Sequence, residues 1–165
     1  PADEVELAIP PPLAPEAMEA EHPDTPGSGT PNPPAPESTV QGPAVLVVED
    51  NSDTRALLER ILRSGFVTFA VGDARSALDL LHRERFDALV LDINLGGRET
   101  GVDVLKVARS LPGNDELFAI ALTAYALPGD RERFLEAGFN QYVSKPFTRS
   151  TLLAALKEGL GEIAP

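Results

Sequence analysis

The sequence contains no cysteine. Disulfides and thiolate metal sites are therefore excluded. No cluster of Lys and Arg occurs anywhere, and the formal net charge is −12. Nucleic-acid backbones are bound by clustered cations, so direct nucleic-acid binding is not expected. No apolar run approaches the roughly 18 residues of a membrane span, so no membrane contact is expected of this segment. The N-terminus lacks the basic and apolar regions of a secretory signal. A cytoplasmic location is expected, with any membrane association belonging to a longer parent chain.

Residues 1–43 contain no Lys or Arg, yet they hold eight of the 26 acids and 12 of the 16 prolines. The remainder carries 18 acids against 14 bases, so most of the negative charge belongs to this lead-in. Such a composition cannot bury enough apolar surface to offset its ordering entropy. Its prolines favour extended stretches, broken by Gly27-Ser28-Gly29. A disordered interdomain linker over 1–43 is expected. Within it Val5, Leu7 and Ile9 alternate with Glu6 and Ala8 before Pro10, the pattern of a short strand left over from an upstream domain.

From Ala44 the composition is that of a folded domain, expected to cover 44–162. Short apolar runs at Ala44–Val48, Phe66–Val71, Ala88–Leu91, Leu117–Leu122 and Gln141–Val143 alternate with helical patterns. Leu57, Leu58, Ile61 and Leu62 mark the first helix and Ala77, Leu78, Leu80 and Leu81 the second. Val102, Leu105, Val107, Ala108 and Leu111 mark the third, Phe134, Leu135 and Ala137 the fourth, and Leu152, Leu153, Leu156 and Leu160 the fifth. Five strand–helix units predict an α/β fold, a doubly wound parallel sheet covered on both faces. Asn51 or Ser52, Asp73, and Thr148 or Ser150 are expected caps, and Gly65 and Gly138 sit where helices should end.

In such sheets ligands bind beyond the carboxyl ends of the strands. The first run ends in Glu49-Asp50-Asn51, the third in Asp92-Ile93-Asn94, the fourth in Thr123-Ala124 and the fifth in Ser144-Lys145-Pro146. Three carboxylates, a hydroxyl and an ammonium are thereby brought to one edge. Neighbouring carboxylates repel and favour a cation. An oxygen-only set favours a hard ion, and Mg2+ is the natural choice. A carboxylate can also attack phosphorus, and the transferring phosphoryl group needs a metal, an ammonium and a hydroxyl donor around it.

These residues resemble the receiver domain of response regulators and hybrid histidine kinases. The likeness is carried by Val45-Leu46-Val47-Val48-Glu49-Asp50-Asn51, Ala88-Leu89-Val90-Leu91-Asp92, Ala121-Leu122-Thr123-Ala124 and Tyr142-Val143-Ser144-Lys145-Pro146-Phe147. It implies a flavodoxin-like (βα)5 fold with strand order 2-1-3-4-5. It implies Asp92 as phosphoacceptor and Glu49 and Asp50 as the acid pair for Mg2+, Asp50 the more direct ligand. Asp92 itself and the backbone carbonyl of Asn94 would complete the metal's protein ligands. Thr123 would bind a phosphoryl oxygen, Lys145 would pair with the phosphoryl group and with Asp92 before transfer, and Tyr142 would turn inward when Thr123 moves. The Lys145–Pro146 peptide is similar to one that is usually cis. The phosphodonor would be a histidine kinase or a histidine phosphotransfer domain. The face of the fourth helix, fifth strand and fifth helix would be remodelled, with dimerisation through it as one outcome. The domain would catalyse its own phosphorylation and dephosphorylation.

The sequence departs from the family pattern after Asp92. Proline usually stands four residues on and glycine eight on; here these positions hold Gly96 and Thr100, with Gly101 one place late. A loop one residue longer and more flexible is expected. Tyr125 is bulky for its position and is expected to shield the phosphoryl group from water. For context, the acidic, proline-rich lead-in and the strand-like start favour the C-terminal receiver of a hybrid kinase, and a stand-alone single-domain regulator is the alternative. A flavodoxin-like nucleotide binder would want a glycine-rich loop where Glu49-Asp50 stands. An aspartyl-nucleophile phosphohydrolase would want a second acid at Asn94.

Overall fold

The computed structural model describes residues 41–124 and 127–161. The expected linker, the strand pattern at 5–9 and Tyr125 lie outside them. Ten elements alternate along the chain: β1 (Ala44–Val48), α1 (Ser52–Leu62), β2 (Val67–Val71), α2 (Ala74–Arg83), β3 (Ala88–Asp92), α3 (Gly101–Ser110), β4 (Phe118–Thr123), α4 (Asp130–Glu136), β5 (Gln141–Ser144) and α5 (Arg149–Leu160). The strands form one parallel sheet in the order β2-β1-β3-β4-β5, as the resemblance implied.

The two-residue period of a strand divides its side chains between two cores. Leu46, Val48, Leu89, Leu91, Ala119 and Ala121 pack with Ala77 and Leu81 of α2 and Val104, Leu105 and Ala108 of α3. Val45, Val47, Ala88, Val90, Ile120 and Leu122 pack with Leu58, Ile61 and Leu62 of α1 and Leu152 and Leu156 of α5. Because β1 and β3 are covered on both sides, they read as unbroken apolar runs. Leu57 is a correction: placed in the apolar face of the first helix, it is instead 45% exposed.

Helix starts follow local chemistry. Asn51 caps α1, its side chain accepting from the amides of Asp53 and Thr54. Asp73 caps α2 by accepting from the backbone and hydroxyl of Ser76, and these bonds hold its carboxyl below its ordinary range. Thr148 caps α5. Thr100 and Asp103 form a reciprocal capping box at α3. That box ties down the end of the loop expected to be loose.

Gly101 opens α3 in a position that needs a missing side chain. A Cβ there would collide with the carbonyl oxygen of Asp92. Its amide donates to the carbonyl of Ile93 at 3.2 Å, so the two segments are clamped backbone to backbone. Gly101→Ala is expected to destabilise the fold by about 1–3 kcal/mol, as overpacking does. A lower urea midpoint at unchanged slope checks this.

Candidate functional site

Parallel register brings the strand ends together. Val48 pairs with Leu91, so Glu49 and Asp92 lie side by side one step further on. Thr123 pairs with Ser144, and the Lys145 amide donates to the Thr123 carbonyl at 2.7 Å. One carboxylate oxygen from each of Glu49, Asp50 and Asp92 falls within a 4.8 Å group. Lys145 Nζ reaches across the sheet to Glu49 Oε2 at 2.7 Å and to Asp92 Oδ2 at 3.0 Å. The Lys145–Pro146 peptide is cis.

The members of this cluster differ in burial. Glu49 is 0%, Asp92 4% and Thr123 3% exposed, whereas Asp50 is exposed. Glu49 Oε1 accepts from the Asn51 amide, and Asp92 Oδ1 accepts from the Asn94 amide, both at 3.1 Å. Burial pushes the Glu49 carboxyl above its ordinary range; the Lys145 hydrogen bond opposes that rise and the Asp92 charge adds to it. Burial would lower the Lys145 ammonium, but its hydrogen bonds to Glu49 and Asp92 outweigh that, and it is held above its ordinary value.

The charge count decides what the cluster can hold. Three carboxylates face one ammonium, a formal excess of two negative charges at a site offering only oxygen ligands. A hard divalent cation fits that donor set.

The chain matches the response regulator receiver domain over residues 45–157. The chain belongs to the response regulator receiver family. Among receiver-domain relatives, it is 39% identical over 122 residues to the transcriptional regulatory protein PrrA of Mycobacterium tuberculosis, covering 73% of this chain and 51% of PrrA. It thus spans about half the length of that relative. It is 34% identical to the polar-differentiation response regulator DivK of Brucella anthropi, covering 72% of this chain and 97% of DivK. The receiver domain of the sensor histidine kinase PA1611 from Pseudomonas aeruginosa superposes with a TM-score of 0.66 at 37% identity, over 73% of this chain and 99% of that one. That receiver structure has a magnesium ion coordinated in its active site cleft.

Glu49, Asp50, Asp92, Asn94, Thr123, Tyr142 and Lys145, the site residues implied by the resemblance, are among the described residues, and Tyr125 is not. Glu49, Asp50, Asp92 and Lys145 are drawn into direct contact or near contact. Thr123 ends the neighbouring strand, and Asn94 lies just past Asp92. Tyr142 is half-buried on β5, its ring tilted 35° against that of Phe134 with centroids 6.3 Å apart.

Two neighbours take up contacts that the sequence pattern does not reveal. Arg55 of α1 donates from Nη1 to the Glu49 carbonyl at 2.8 Å and to the Asp50 carbonyl at 3.4 Å. Gly96 adopts φ +66° and faces the Asp50 carboxylate. The glycine itself was the available signal, since glycine is the residue that takes a left-handed backbone at no steric cost.

Proposed function

We propose that Asp92 accepts a phosphoryl group from a phosphohistidine and that this domain relays the signal so carried. The Lys145 ammonium bridging Asp92 and the buried Glu49 is the observation that carries the reading. It aligns a carboxylate nucleophile with a cation that can follow the incoming charge.

In the transfer, Asp92 Oδ attacks phosphorus. The O–P bond forms as the N–P bond breaks, and its electron pair leaves with the donor imidazole. Lys145 then pairs with the phosphoryl oxygens, and the Thr123 hydroxyl donates to one of them. Glu49, Asp50, Asp92 and the Asn94 carbonyl would hold Mg2+. Bound there, the ion neutralises phosphoryl charge. Hydrolysis of the resulting acyl phosphate by water resets the domain.

Readout is proposed to pass through Tyr142. A cleft of about 330 Å3 lined by Asn94, Thr123, Asp130 and Phe134 adjoins its stacking partner, so a shift of Thr123 has room to draw the ring inward. This would change the surface of α4, β5 and α5, where Leu135 is 44% exposed, and offer a dimerisation face. The phosphodonor is proposed to be a histidine kinase or a histidine phosphotransfer domain. Leu57, Thr54, Pro146 and Phe147 line an apolar groove beside Lys145 on which such a partner could rest.

For the parent context, likeness to the receiver of a sensor histidine kinase supports a hybrid kinase. The nearly full-length match to DivK supports the stand-alone alternative. The gene sequence upstream of residue 1 separates them: an encoded kinase core supports the first, and an adjacent start codon the second. Among the described residues, no helix is long and apolar enough to cross a membrane.

The test of the transfer chemistry is incubation with acetyl phosphate and Mg2+. One hydroxylamine-labile phosphoryl group per chain is expected, and EDTA should abolish it. Labelling undiminished by EDTA would contradict the metal-assisted reading.

A further inference from the structure

Asp50 is the exposed carboxylate of the cluster, and its two ends are held very differently. Its backbone is pinned. Arg55 donates to the carbonyls of Glu49 and Asp50, and Asn51 immediately after caps α1. Its carboxylate rests against the β3–α3 loop at Gly96, where a Cβ would stand 2.9 Å from Asp50 Oδ2.

We propose that Gly96 is a positioning residue for Asp50: its missing side chain sets where that carboxylate lies and so how tightly the site takes Mg2+. The inference rests on the metal reading above. A side chain at 96 could be relieved by moving the Asp50 backbone or by swinging its carboxylate. The backbone is locked and the carboxylate is the free end of a flexible side chain, so the carboxylate moves. Neither buried acid is as free to compensate. Glu49 is held by Lys145 and the Asn51 amide, and Asp92 by Lys145 and the Asn94 amide. Mg2+ tolerates little displacement, because it demands near-ideal octahedral geometry. The bare backbone at Gly96 thus gives this loop direct control over the exposed metal ligand.

The two consequences of a side chain at 96 are separable. One is backbone strain, since φ +66° disfavours most L-residues. The other is contact with Asp50. Gly129 supplies the strain alone, with φ +93° and no described atom within 4 Å of a Cβ. Gly97 supplies neither: its φ is not positive and a Cβ would meet nothing within 4 Å.

Calorimetric titration of the full chain with MgCl2 tests the proposal. Gly96→Ala is expected to weaken Mg2+ binding by about tenfold or more. Gly96→Asn should do the same, with less strain because Asn tolerates left-handed backbone. Gly97→Ala and Gly129→Ala should bind as wild type does. Thermal melts in EDTA should drop alike for Gly96→Ala and Gly129→Ala, which separates strain from metal affinity. Binding by both Gly96 variants within about twofold of wild type would overturn the inference, as would an equal loss in Gly97→Ala. If the wild-type chain takes up no Mg2+, the metal reading fails first and this inference falls with it.

Discussion

Lys145→Met is expected to destabilise the domain by about 3 kcal/mol near neutral pH, the low end for breaking a buried ion pair because the lysine itself is partly exposed. The methionine keeps the length and apolar stem of the side chain but removes its charge. Glu49 and Asp92, 0% and 4% exposed, are then left side by side without their cation. The pH dependence follows from Glu49. Its folded pKa is already above the ordinary 4.5, and losing Lys145 raises it further. A raised folded pKa means stability is retained at low pH and lost as pH rises past that value. The deficit of the variant should therefore shrink as pH falls from 7 toward 4.5. Added Mg2+ should stabilise the variant more than wild type, since it becomes the cluster's main counter-charge. Urea midpoints across pH, with and without Mg2+, check both statements. A variant as stable as wild type at neutral pH would show that the pair contributes nothing.

Asp50→Asn should have the opposite profile. Asp50 is exposed, and its side chain makes no hydrogen bond among the described residues apart from lying close to Gly96. Removing its charge relieves repulsion in the cluster, so stability in EDTA should stay within about 0.5 kcal/mol of wild type or rise. Mg2+ affinity should fall by at least about 100-fold, more than the loss of an outer-shell partner. Calorimetry reads the affinity and thermal melts in EDTA read the stability. Wild-type affinity in the variant would remove Asp50 from the metal site. Lys145 and Asp50 would thus divide the work: one offsets the charge stored in the fold, and the other is the ligand proposed to stay open to the metal.

The strands were legible because burial on both faces writes an unbroken apolar run into β1 and β3. The acids at their ends were legible because a charged residue directly after such a run has no structural reason to be buried. Receiver membership followed from four short segments in order, each weak alone. What stayed hidden is tertiary. That Lys145 reaches Glu49 as closely as Asp92 depends on a contact spanning 96 residues. Leu57 and Leu58 are equally apolar, yet only Leu58 faces the sheet, a choice of helix rotation that two adjacent leucines leave open. Thr100 with Asp103 has the spacing of a capping box, a signal present in the sequence. The constraint on Gly96 is a positive φ against the carboxylate of Asp50, which lies in the loop after β1, and no local pattern reveals it.

The claim on which the rest depends is that Asp92 takes the phosphoryl group. Its direct test is stoichiometric labelling of wild type and Asp92→Ala by acetyl phosphate with Mg2+, read by intact mass and hydroxylamine lability. One labile phosphoryl group on wild type and none on Asp92→Ala is the expected result. Equal labelling of the two proteins would contradict it.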